Sequence, residues 1–101
     1  MVLEHALLNV KAREVAAFEA ALCEAAPLIA ASPGFLGIEV RPSIESAGLY
    51  LLLVQWRSVE DHDPGFRGSD RYSRWKALLH PFYEPFPTVE HFAEPISLSL
   101  P

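Results

Sequence analysis

Residues 62–75 read HDPGFRGSDRYSRW, which sets a histidine, an arginine, a tyrosine and a tryptophan within fourteen positions. The neutral imidazole of His62 can accept a phenolic proton near pH 7, and burial readily tunes its pKa. Arg67, in the GFRG turn, carries a planar fork able to hold an anionic oxygen. Each also has a structural reading. His62 can simply close a short helix before Pro64, and Arg67 can pair with Asp61, Asp63 or Asp70. Phe66, Tyr72 and Trp75, with Trp56 upstream, are the apolar groups from which a small-molecule pocket and a core are alike built. His5 and Asn9 lie four apart among Leu3 and Leu7 and need either a protein partner or a ligand.

Other chemistries find little material. His5, His62, His80 and His91 show no HxxxH or HxH spacing and no HExxH, so no metal site is expected. GFRG neither follows a strand directly nor repeats the dinucleotide spacing, and no cofactor is expected. The lone Cys23 lacks a sequence partner for catalysis or a disulfide and is expected as a small buried hydrophobe. The eight Lys and Arg residues form no basic run in a chain of net charge −5, which argues against a nucleic-acid partner. The apolar stretch at 48–54 falls far short of the roughly 20 residues that cross a bilayer. No membrane partner is expected. Nothing resembles a secretory leader, so a cytoplasmic protein is the expectation.

These groups must be positioned by a fold. The 101 residues suit one domain, and half of them are hydrophobic, enough to offset the entropy of ordering a chain this size. VLEHALLNV alternates as a first strand, with Leu3, His5, Leu7 and Asn9 on one side and Val2, Glu4, Ala6, Leu8 and Val10 on the other. From Ala12 to Ala31, Val15, Phe18, Leu22, Ala25 and Ile29 recur at helical spacing, and Pro27 predicts a kink or restart. FLGIEVRP alternates as a second strand. LYLLLVQW, a third, is apolar on both faces and must be covered from both sides. Ser58 with Asp61 resembles a capping box, which puts Val59 and His62 together on one face, turned inward. Ser69 caps DRYSRWKALLH. HPFYEPFP is an extended connector, and TVEHFAE is a fourth strand with Val89 and His91 on one face.

The order is βαββαβ, a ferredoxin-like α+β fold with a four-stranded antiparallel sheet and helices on one face. The third strand then exposes Leu49, Leu51 and Leu53, or else their opposite set. Each such side chain gains about 1.5–3 kcal/mol when buried. A second copy of the sheet is the simplest cover, so a homodimer is expected.

FEAALCEAAPLIAASPGFLG, YLLLVQWRSVEDH and GFRGSDRYSRW followed by VEHF together resemble the antibiotic biosynthesis monooxygenase-like family, over residues 1 to about 95. The resemblance implies a dimeric α+β barrel with sheets packed face to face, and in each subunit a pocket between sheet and helices. It implies a small aromatic or apolar ligand. It also implies a cofactor-independent monooxygenase acting on a phenol, quinol or anthrone-type compound. In such a reaction His62 would be base or hydrogen-bond partner, Arg67 an anion stabiliser, and Phe66, Tyr72, Trp75 and Trp56 the walls, with His5 and Asn9 as further candidate substrate contacts. The alternative is a non-catalytic binding or stress-response domain of the same shape. The haem-degrading branch of the resemblance uses an Asn, Trp and His set. Here His5, Phe66 and Trp75 or Lys76 fall near those positions, so haem cleavage is not expected.

Overall fold

The computed structural model describes residues 1–101. Strand β1 (Val2–Asn9) leads through a short helical turn into α1 (Val15–Ala30), then β2 (Phe35–Pro42) and β3 (Leu49–Trp56). A wide helical turn over Asp61–Phe66 precedes α2 (Asp70–Leu79), and β4 (Val89–Phe92) closes the sheet. The four strands are antiparallel in the order β2-β3-β1-β4, with β1 and β3 at the centre. This is the βαββαβ ferredoxin-like arrangement, and both helices lie on one face of the sheet.

Alternation decides which side chains meet the helices. Glu4, Ala6 and Leu8 of β1 and Tyr50, Leu52, Val54 and Trp56 of β3 are buried on that face, against Phe18, Ala25, Leu28 and Ile29 of α1 and Trp75 and Leu79 of α2. Burying each large apolar member stabilises the fold by about 1.5–3 kcal/mol before the entropy of ordering it is counted. The other face carries Leu3, His5, Leu7, Asn9, Leu49, Leu51 and Leu53, of which Leu7 is 47% exposed. The molecule measures only 20 Å across its thin dimension, the depth of one sheet and one helix layer. Nothing in the chain lies over the second face.

Two expectations about α1 change. The helix runs through Pro27 as one element, and Cys23 is exposed rather than buried. The two findings share a cause. Cys23 and Pro27 occupy the outer side of the helix, so the carbonyl that Pro27 leaves unpaired opens to water, while Ala25, Leu28 and Ile29 hold the inner side to the sheet. At Gly48 a positive φ of 83° and the close approach of the Val10 carbonyl leave no room for a side chain; that contact ties the β2–β3 turn to the end of β1. No helix is long and apolar enough to cross a membrane.

Candidate active site

The wide turn that brings His62 inward is built from local hydrogen bonds. Ser58 Oγ accepts from the Asp61 backbone N–H at 3.3 Å, the expected capping contact, and donates to Asp61 Oδ2 at 3.0 Å. The Arg57 guanidinium grips the same carboxylate at 2.9 and 3.1 Å and holds its pKa down, so Asp61 stays charged and anchors the turn. Backbone N–H groups of Arg67 and Gly68 donate to the carbonyls of His62 and Pro64 at 2.9 and 2.6 Å. His62 is 3% exposed. Val59, expected beside it, is 38% exposed: the turn winds more widely than an α-helix, so positions three apart do not share one face.

His62 lands on a polar pair supplied by the sheet. Glu4 of β1 and His91 of β4 are cross-strand partners, and both side chains point to the helix face. His62 Nδ1 lies 2.7 Å from His91 Nε2, and His62 Nε2 lies 3.3 Å from Glu4 Oε1. The Trp56 indole N–H donates to the same Glu4 oxygen at 2.9 Å, and its ring stacks on His62 at 5.3 Å with planes 19° apart. Burial pushes the Glu4 carboxyl up from its ordinary value, against the Trp56 hydrogen bond and the Arg67 charge that pull it down. Burial lowers His62 to about 4, and Arg67 and His91 add to the shift. His62 is therefore neutral at pH 7.

Glu4 and His62 of this cluster stand in the wall of a small, open cavity between the sheet and α2. Ten of its fifteen lining residues are hydrophobic, which makes the polar ones conspicuous. Phe66 packs edge-on against Tyr72 at 5.4 Å and Trp75 at 5.7 Å, and all three line the space. Arg67 reaches it too, bonded to Asp63 Oδ2 at 3.3 Å, so of the three candidate carboxylates Asp63 is the partner. His80, at the end of α2, and Tyr83 and Phe86, from the connector, complete the lining. Burial lowers the pKa of His80 and, with the Glu4 charge second, raises that of Tyr83.

The sequence-derived set divides. His62, Arg67, Phe66, Tyr72 and Trp75 meet at the cavity, while Trp56 sits behind His62 as its backing. His5 and Asn9 do not join them. They belong to the odd-numbered side of β1 and face away from the helices, where His5 packs edge-on against Phe92 at 5.6 Å. Glu4 and His91 join the site from outside the set that sequence spacing suggests. The signal for Glu4 was a carboxylate alternating with Ala6 and Leu8 on an otherwise apolar face, where a charge requires partners.

With this geometry in place, comparison with known proteins is direct. The family model described as antibiotic biosynthesis monooxygenase matches residues 1–78. The chain belongs to this family. It is 49% identical over 94 residues to the uncharacterized protein YczJ of Bacillus subtilis (strain 168), covering 93% of this chain and 99% of that protein. A family member of known structure from Bordetella bronchiseptica shares 30% identity at a TM-score of 0.88, over 94% of this chain and 97% of the other. SnoaB from Streptomyces nogalater, a cofactor-independent oxygenase, has the same fold at 15% identity and a TM-score of 0.78, with 96% and 95% covered. Four glutamate, histidine and arginine side chains at one aromatic-walled cavity are thus features of a chain in the antibiotic biosynthesis monooxygenase family.

Proposed function

We propose that the chain is a cofactor-independent monooxygenase acting, as a single domain, on a small aromatic compound of the phenol, quinol or anthrone type. The observation that carries this reading is the His91–His62–Glu4 chain, whose His62 and Glu4 stand in the wall of a largely apolar cavity. An electron-rich substrate that loses a proton can itself reduce oxygen. For an anthrone, one CH2 group and one O2 become one C=O group and one H2O, so no external reductant is required. The pocket has to take the proton, balance the resulting anion and keep water away. The His62–Glu4 pair takes the proton, Arg67 faces the anionic oxygen, and Phe66, Tyr72 and Trp75 hold the rings. The shared fold with SnoaB supports the reading without supplying a substrate.

The same reading includes a homodimer, with the open apolar sheet face as its interface. His5 and Asn9 then belong to the interface rather than to the substrate cavity. The test is oxygen uptake measured beside binding, over a panel of quinols, anthrones and haem, with neither metal nor flavin added. One O2 consumed per anthrone, and weak haem binding without a ligation spectrum, are the expected results. Saturable binding of the panel with no oxygen uptake would replace the oxygenase with a non-catalytic binding domain.

A further inference from the structure

His62 has both ring nitrogens engaged, one 2.7 Å from His91 and the other 3.3 Å from Glu4, and almost no exposed surface. A neutral imidazole has one N–H and one lone pair, so the single hydrogen between His62 and His91 sets the polarity of the whole chain. If His91 Nε2 donates, His62 carries its own hydrogen on Nε2 and directs it toward Glu4 Oε1, which also receives the Trp56 N–H. Every group is then matched with Glu4 ionised. The opposite polarity turns a His62 lone pair toward Glu4 Oε1, and it is matched only if that oxygen carries a proton while already accepting from Trp56. The first arrangement satisfies more of the buried polar atoms. It also leaves His62 without a free lone pair for a ligand. Glu4 Oε2 makes no hydrogen bond to the protein, and Glu4 is part of the cavity wall.

We propose that Glu4, through Oε2, is the group that takes the proton, and that His91 is a positioning residue that acts through His62 to hold Glu4 ionised and oriented. This rests on the oxygenase reading and names the atom that begins it. With an anthrone, a methylene C–H bond breaks, the hydrogen goes to Oε2, and the electron pair stays on the ligand as an enolate whose oxygen faces Arg67. A buried carboxyl with a raised pKa is a stronger base than an exposed one, which suits it to a weakly acidic C–H or O–H. Burial raises the pKa of Glu4, while the Trp56 hydrogen bond and the Arg67 charge lower it; the other titratable groups around it and the cavity are His62 from the turn, His91 from β4, His80 from the end of α2 and Tyr83 from the connector.

Proton abstraction can be separated from oxygenation by following exchange of the anthrone methylene hydrogens with heavy water under nitrogen, using the full chain. The wild type should accelerate exchange, and Glu4→Gln should lower it by about 10²–10⁴-fold with anthrone binding retained. His91→Gln keeps an N–H for His62 Nδ1 and should stay within about threefold of wild type. His91→Phe should release the His62 tautomer and move the pH profile of exchange. In the unsubstituted protein, ring-nitrogen NMR should find His62 hydrogen-bearing at Nε2. A hydrogen on Nδ1, no exchange in the wild type, or full exchange in Glu4→Gln would each overturn the assignment. Exchange without oxygen uptake would leave it standing and remove the oxygenase reading instead.

Discussion

His62 enters the fold as a neutral ring, and that has a consequence for stability. Its pKa falls from 6.5 to about 4 on folding, so between those values the unfolded chain binds more protons than the folded one. Stability tied to His62 is therefore complete above pH 6.5 and is lost as pH drops toward 4, by about 3 kcal/mol at 1.36 kcal/mol per unit. Urea unfolding at pH 7.5 and pH 4.5 should show this loss, and His62→Gln should flatten it. An unchanged slope in the variant would assign the effect elsewhere. Glu4 works in the opposite sense, since its raised pKa lets the folded state keep a proton longer, and the two partly cancel near the bottom of the window. At this scale the sequence was half legible. The cap at Ser58 pointed His62 inward, and helix spacing put Tyr72 and Trp75 on one face. Glu4 and His91 meet only because β1 pairs with β4, a register that neither strand's own pattern states. His5 misled because a polar group on an apolar strand looks the same whichever face the helices cover.

Among the elements, α2 depends most visibly on a single residue. Ser69 Oγ accepts from the Tyr72 backbone N–H at 3.3 Å and donates to the Phe66 carbonyl at 2.6 Å, joining the cap of α2 to the end of the wide turn. Ser69→Ala should cost about 1 kcal/mol in denaturant unfolding. Because the same hydroxyl fixes Phe66, the loss should be accompanied by weaker binding of aromatic probes. Destabilisation with unchanged probe affinity would show that the turn holds its shape without the cap. The caps were readable because their chemistry is local. The wide turn was not, since its shape follows from where Asp61 is held by Arg57 and Ser58 and where Arg67 and Gly68 find carbonyls. Pro27 belongs to the same lesson. Its cost depends on which side of α1 faces water, and propensity alone does not reveal that.

For the whole molecule, the uncovered side of the sheet is the main unresolved demand on the chain. Leu3, Leu7, Leu51 and Leu53 lie together on it with Phe92, itself 46% exposed. Sedimentation at micromolar concentration should give twice the 11.2 kDa chain mass. Leu51→Lys should shift the protein toward monomer while preserving the helix-side core. A wild-type monomer at those concentrations would sink the face-to-face dimer. The need for this cover was readable from β3 alone, because a strand apolar on both faces cannot be satisfied by helices on one.

The sheet order also governs how the protein is made. β1 leaves the ribosome before the other three strands yet ends between β3 and β4, and β2, the next to emerge, borders only β3. The first 42 residues thus contain two strands that cannot pair with each other, and no sheet can begin until β3 has been synthesised. Glu4 waits through this interval on an unpaired apolar strand, and it meets His91 only when β4 has emerged. A chain that stops before β4 therefore contains the glutamate without its histidine partner, so the constellation exists only where β1 and β4 are both present.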